Sequence, residues 1–175
     1  MSGQPFYPDL AREGLELWTN GNLQGAEAKY REALARISSG HAAVPHVRLQ
    51  LAHVLAARGC AEEARSQFEL ALTEELSLAE NETDLAVRIA RYFLAQHLLK
   101  LGEPQAALAA IEPAVGFSGD FALRMVESEV RQALGQHLEA MTALRFALES
   151  AKTDEQRSDV RQRIALMEQQ GKHAG

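Results

Sequence analysis

The sequence predicts an all-α protein made of repeated pairs of helices, and three observations support this prediction. Four glycines recur at intervals of 38, 43 and 33 residues, at Gly21, Gly59, Gly102 and Gly135. Small residues stand at three fixed offsets around each of these glycines. The chain of 175 residues is 6% aromatic and poor in β-branched residues, a composition that favours helix. A constant register at this period is typical of a helical repeat array.

The small residues predict where helices approach each other closely. Position seven before each glycine is small, and positions five and twelve after it are alanine. These twelve residues are Gly14, Ala52, Ala95 and Ser128, then Ala26, Ala64, Ala107 and Ala140, then Ala33, Ala71, Ala114 and Ala147. Each lies where a larger side chain would separate packed helices, at a cost of roughly 1–3 kcal/mol.

Turn and capping residues divide the first half of the chain into four helices. Pro8 or Asp9 begins the first helix, and Gly21 ends it. Asn22 is placed to cap the second helix, and Ser38-Ser39-Gly40 ends that helix. A third helix follows from about Pro45 to Arg58, and the fourth begins after Cys60, which occupies its cap position.

The second half predicts five further helices, giving four pairs and a closing helix. Residues 81–84 form a polar break, Pro104 restarts the chain after Gly102, and residues 116–120 are a loop. Thr153 and Gln156 form a capping box for the last helix. The predicted organisation is a lead-in at 1–7, one domain at 8–170 with units at about 8–38, 45–79, 84–116 and 121–150 and a capping helix at 153–170, and a disordered tail at 171–175.

Charge and composition exclude several classes of function. The net charge of −6 argues against nucleic acid and anionic membranes as partners, since phosphate binding needs a basic surface. The single cysteine fits a reducing compartment. No signal peptide or long apolar run is recognisable, so we expect a cytoplasmic protein without a membrane span.

The register of small residues resembles the tetratricopeptide repeat (TPR) over about residues 8–150. The large residue of each second helix is Tyr30, Phe68, Ile111 or Leu144. The resemblance departs from the family where Glu13 and Glu127 replace the usual leucine of the first helix, and where the spacings of 38 and 43 exceed the 34-residue norm. The longer spacings imply longer helices that project from one edge.

The resemblance implies a right-handed α-solenoid whose first helices line a concave groove for a partner. The implied groove residues are Leu15, Trp18, His46, Leu49, His53, Ile89, Tyr92, Gln96, Met125 and Glu129. Trp18 and Tyr92 are the candidate anchors, since aromatic residues concentrate binding energy; the alternative for Trp18 is packing between helices. The charged clamp by which one TPR branch holds chaperone tails is absent, because its positions hold Ala11, Leu15, Gln50, Ile89 and Phe93.

Catalytic and metal sites are not indicated. His46 and His53 lie two helical turns apart, too far to share one ion, and Cys60 is expected to be a small cap or buried thiol. Four arginines, at 88, 91, 124 and 131, lie on first helices of adjacent units, and two of them are expected to pair with Glu127 or Glu129; the alternative is a local site for an acidic partner segment.

The predicted function is a non-catalytic adaptor that binds a protein segment in the groove, with no cofactor and no metal. Two alternatives stay open: a bacterial secretion or assembly chaperone, and a self-associating structural subunit. An enzyme or metal protein centred on His46, His53 and Cys60 is the remaining, weakest alternative.

Overall fold

The computed structural model describes residues 6–116 and 120–173, and this part of the chain contains nine α-helices and no strand. The prediction of an all-α repeat protein is confirmed. The helices are α1 (Tyr7–Thr19), α2 (Leu23–Arg36), α3 (Val44–Ala57), α4 (Ala61–Leu78), α5 (Leu85–Lys100), α6 (Pro104–Val115), α7 (Phe121–Ala133), α8 (His137–Ser150) and α9 (Asp154–His173). The predicted lead-in at residues 1–5, most of the predicted loop (117–119) and residues 174–175 of the predicted tail lie outside the described residues.

The chain forms two compact units, Met1–Ala90 and Arg91–Gly175, with the boundary inside α5. In the first unit α2 packs against α1 and α3, and α3 packs against α4. In the second unit α7 packs against α6 and α8, and α8 packs against α9. Within each unit, these packed helices follow each other in sequence, as expected for a repeat.

The four recurring glycines all end a helix in the same way. Each has a positive φ between 73° and 79°, which glycine adopts without steric cost. At the first turn the Gly21 N–H donates to the Trp18 carbonyl, and the Asn22 N–H donates to the Leu17 carbonyl at 2.8 Å. The same pair of hydrogen bonds recurs at Gly59, Gly102 and Gly135. This is the Schellman motif, repeated once per predicted unit.

Replacing Gly59 by alanine is expected to destabilise the protein by about 1–2 kcal/mol. An added Cβ would meet no atom within 4 Å, so the cost is the left-handed backbone alone. Gly116 is the matched control, because it also lies at a helix end with open space around it but has φ −67°. Gly116→Ala should leave the free energy of unfolding unchanged or raise it by up to about 1 kcal/mol. Urea denaturation of both variants measures the difference, and equal effects would contradict the backbone explanation.

All twelve small residues of the register are buried. At Gly14 an added Cβ would come within 3.0 Å of the buried Tyr30 ring. Gly14 of α1 therefore lies at a close contact with α2, where a larger side chain would meet Tyr30. The Tyr30 hydroxyl has no hydrogen-bond partner among the described residues, and burial raises its pKa.

Two predicted capping arrangements are present. The Asn22 side chain accepts a hydrogen bond of 2.9 Å from the Gly25 N–H at the start of α2. At α9 the Gln156 N–H donates to the Thr153 hydroxyl at 3.1 Å, and the Thr153 N–H donates to the Gln156 side chain at 3.3 Å. This reciprocal pair is a capping box. Cys60 is the N-cap residue of α4, without a side-chain capping bond.

The extra residues between the glycines are used in two different ways. Between Gly21 and Gly59, α2 and α3 have 14 residues each, and the excess lies in the connection from Ile37 to Ala43. Between Gly59 and Gly102, α4 has 18 residues and α5 has 16. The expectation of longer helices is therefore correct for the second interval and wrong for the first, where Ser38-Ser39-Gly40 interrupts the helix.

The last helix covers an apolar cluster in the second unit. Val160 of α9 is fully buried in a cluster with Met125, Leu144 and Ala147, and Ile164 and Met167 pack against it. The rest of α9 is mainly polar, as expected for a helix that has one side in solvent. Among the described helices, none is both long and apolar enough to cross a membrane.

Candidate interaction surface

The first unit brings an aromatic group together on α1, α3 and α4. The Trp18 ring stacks on His53 with 6.0 Å between ring centroids, and the edge of His53 meets Phe68 at 5.1 Å. Phe68 is buried in the core, whereas His53 and Trp18 are half-buried. Trp18 therefore packs one ring face against His53 of α3 and stays partly exposed. Both alternatives for this residue, packing between helices and contact with a partner, are compatible with this position.

An exposed leucine extends this aromatic group across the surface. Leu15 lies one turn before Trp18 on the same side of α1, and its side chain is 48% exposed. On α3 the exposed His46 lies two turns before His53, again on one side of the helix. We call these four residues of α1 and α3 the first-helix face.

Two predicted groove residues do not belong to the surface. Leu49 is buried, because α3 packs between α2 and α4 and has eight buried residues. Met125 is buried, because α9 covers it together with Leu144 and Val160. Both side chains contribute to the core, and the prediction that they face a partner is wrong.

A second, more polar group lies on the first helices of the second unit. A side-chain hydrogen bond joins Tyr92 to Gln96, and burial raises the pKa of the Tyr92 hydroxyl, with the nearby Glu129 carboxylate adding to the rise. Arg163 of α9 donates to Glu129 at 2.6 Å. Arg163 is not recognisable from the sequence as part of this group, because it lies on a helix face with many acidic and basic residues and no distinguishing pattern.

The arginines have mostly structural partners, as expected. Arg124 donates to Glu127 at 2.8 Å, and Arg131 lies 3.8 Å from the other oxygen of Glu127. Arg91 donates to the Ala110 carbonyl, and Arg88 donates to the Thr83 carbonyl. The preferred prediction of pairing is thus confirmed for the two arginines that contact Glu127.

A shallow depression of about 310 Å³ lies beside the Glu127 pairs, between α7 and α8. The Arg124 guanidinium lies 4.7 Å from the centre of the Phe146 ring, at one wall of the depression. Leu138, which is 83% exposed, lines the other side. The exposure of Phe146 and Leu138 could not be predicted from the sequence, because their positions on α8 do not differ in pattern from those of core residues.

His46, His53 and Cys60, the candidates for metal binding or nucleophilic chemistry, lie in three different surroundings. His53 contacts two aromatic rings, His46 is exposed, and Cys60 is half-buried at the start of α4. Within residues 6–116 and 120–173, no group of three or more His, Cys, Asp or Glu side chains is arranged to hold a metal ion.

Comparison with solved structures identifies the fold. MamA from Desulfovibrio magneticus RS-1 matches with a TM-score of 0.74 and 17% sequence identity over 95% of this chain and 85% of its own. A kinesin-light-chain-type protein of Podospora anserina with nearly identical TPR-like repeats matches with a TM-score of 0.79 and 18% identity over 95% and 87%. YrrB, a TPR protein with an unusual peptide-binding site, matches with a TM-score of 0.65 and 22% identity over 93% and 76%. This chain has the TPR fold.

The TPR assignment rests on structure and on the sequence register together. No family model matches the chain, and no curated protein matches it either. The similarity in structure at 17–22% identity establishes the fold.

Proposed function

We propose that this protein is a non-catalytic adaptor that binds a segment of a partner protein on its first-helix face. The observation that supports the proposal is the exposed Leu15 beside the stacked Trp18 and His53 rings. An exposed aliphatic side chain next to an aromatic ring is the type of surface on which binding energy concentrates. YrrB, a protein of the same fold, has a peptide-binding site.

The chemistry of this face favours an apolar segment with hydrogen-bonding groups. Leu15 and the exposed side of Trp18 provide apolar contact, and His46 and His53 add imidazole nitrogens at the edge. A short amphipathic helix or an extended peptide with one or two large apolar side chains fits this arrangement. The single cysteine is consistent with a reducing compartment such as the cytoplasm.

Substituting Leu15 by glutamate is expected to weaken binding at least about tenfold, because the charge would be buried against the partner. The ligand is a peptide selected from a displayed library on the whole protein. Trp18 is the single tryptophan of the chain, so its emission reports binding at this face directly. Titration of the wild type should shift the emission to shorter wavelength, as the partner covers the ring.

The matched control is Leu138→Glu, which places the same charge on an exposed leucine of α8. It should retain wild-type affinity and the same emission shift. Equal binding by the Leu15→Glu and wild-type proteins would show that the first-helix face is not the peptide site. Light scattering of the unliganded protein tests the self-association alternative, for which a dimer dispersed by Leu15→Glu is the expected result.

A further inference from the structure

The connection between α4 and α5 carries a second group of exposed apolar side chains, which shares no residue with the first-helix face. We define the α4–α5 corner as residues 74–89, all of which belong to the first compact unit. Helix α4 has 18 residues, whereas the other second helices, α2, α6 and α8, have 14, 12 and 14. The additional turn of α4 therefore provides surface that the other second helices lack.

Four large apolar side chains of the corner are exposed by more than a third. Leu85 is 61% exposed and Ile89 is 40% exposed, and they lie one turn apart on α5. Leu76 and Leu78, in the last turn of α4, are 37% and 43% exposed. Folding of the described chain leaves 37–61% of each of these residues uncovered, although burying them would be favourable.

Hydrogen bonds hold the two ends of the corner together. The Asp84 carboxylate accepts a hydrogen bond of 3.0 Å from the Glu80 N–H, and the Asp84 N–H donates to the Asn81 carbonyl at 3.3 Å. Arg88 donates to the Thr83 carbonyl at 3.0 Å. Leu78 lies two residues before this closed connection and Leu85 lies one residue after it, so both are exposed side chains at the two helix ends that the hydrogen bonds hold together.

The charge around these leucines is strongly negative. From residue 66 to residue 87 the chain has six acidic residues and no basic residue; the acidic ones are Glu69, Glu74, Glu75, Glu80, Glu82 and Asp84. The last turn of α4 has no basic residue to offset the negative end of the helix dipole. Arg48 of α3 pairs with Glu74 at 2.8 Å, and Arg88 lies within the corner. The corner itself has five acidic residues and one basic residue.

We propose that the α4–α5 corner is a docking surface for a lysine- or arginine-rich amphipathic helix of a partner protein. The apolar side of such a helix would cover Leu78, Leu85 and Ile89, and its basic side chains would face the surrounding carboxylates. Burial raises the pKa of the Glu75 carboxyl, and the charge of Glu74 raises it further. A positive charge placed there would act in the opposite direction. The surface is unsuited to an anionic membrane, which its carboxylates would repel.

The test measures binding of a synthetic amphipathic helix of leucine and lysine, about 18 residues long, by fluorescence anisotropy. The whole protein is used, and a peptide with glutamate in place of every lysine provides the charge control. The lysine peptide should bind at least about tenfold more tightly than the glutamate peptide. Raising the salt from about 50 mM to about 300 mM should weaken its binding. Equal affinity for the two peptides would overturn the proposal.

Two double variants distinguish binding at the corner from attraction of the peptide by the net negative charge of the protein. Leu78→Ser with Leu85→Ser should weaken binding of the lysine peptide at least about tenfold. The control, Leu138→Ser with Leu166→Ser, removes two leucines of the second unit that are at least half exposed, and it should bind as the wild type does. If both double variants bind equally, the peptide is attracted by overall charge and the corner is not its site. Circular dichroism checks that both variants keep their helix content.

Three further outcomes separate this proposal from its alternatives. Leu15→Glu should leave binding of the lysine peptide unchanged, so failure of the first-helix face and failure of the corner are distinguishable. A dimer that disperses with Leu78→Ser and Leu85→Ser would assign the corner to a second copy of this chain and overturn the proposal. Sedimentation of the protein with phosphatidylserine vesicles would overturn it in favour of a lipid surface.

Discussion

Phe68→Ala is expected to lower the free energy of unfolding by about 3–5 kcal/mol, the largest effect of any single substitution considered for this protein. Phe68 is buried, and its ring meets the edge of His53 at 5.1 Å. Truncation removes the apolar contacts of the ring and leaves a cavity between α3 and α4. Urea denaturation followed by Trp18 emission measures the loss.

The same substitution should also disturb the first-helix face. His53 lies between Phe68 and Trp18, so removing the phenyl ring takes away one of the two aromatic contacts that position the imidazole. We expect the emission of the folded protein to change as well as the denaturation midpoint. Phe146→Ala is the control, since Phe146 is half-exposed on α8 and should cost less than about 1.5 kcal/mol. Similar losses in the two variants would show that Phe68 is not a core residue.

The turns and close contacts of this fold could be predicted from sequence, because each demands a particular kind of residue. A left-handed helix end accepts glycine at least cost, so Gly59 and its three equivalents identified their turns. A close approach between helices excludes large side chains, so Ala64 and Ala107 identified buried contacts. These constraints are local to one unit, which is why the register could be derived without knowledge of the tertiary structure.

The surface could be predicted only in part, because exposure depends on which neighbour covers a residue. Leu15 and His46 are exposed, whereas Leu49 and Met125, which were expected to face the same groove, are buried. Periodicity places a residue on one side of its helix but does not say how far an adjacent helix extends over it. The contribution of Arg163 to the group around Glu129 is of the same kind, since it depends on how α9 packs against α7.

The two glutamates that replace the usual leucine illustrate this difference. Glu13 on α1 is exposed and pairs with Lys29 at 2.6 Å. Glu127 on α7 is buried and accepts a hydrogen bond from Arg124, with Arg131 nearby. The sequence identified both as departures from the repeat. The effect of each glutamate on stability depends on its surroundings. A surface ion pair contributes little to stability, whereas a buried carboxylate neutralises the arginines beside it.

Glu127→Leu is therefore expected to destabilise the protein by about 2 kcal/mol, although it restores the leucine that the repeat usually carries. Burial of the leucine side chain is favourable, but Arg124 and Arg131 lose the carboxylate that balances their charge. Breaking a fully buried pair costs about 3–5 kcal/mol. The two arginine side chains are 15% and 19% exposed and can turn partly toward water, so a smaller loss is expected here. Thermal and urea denaturation measure the change.

Glu13→Leu is the control at the same position of the repeat and should change stability by less than about 1 kcal/mol, because its ion pair is exposed. A second variant tests the cause of the loss at Glu127. Combining Glu127→Leu with Arg124→Met and Arg131→Met removes all three charges together, and should recover most of the stability that Glu127→Leu alone loses. If the triple variant is as unstable as the single one, the cost comes from the shape of leucine at this site and not from two arginines left without their partner.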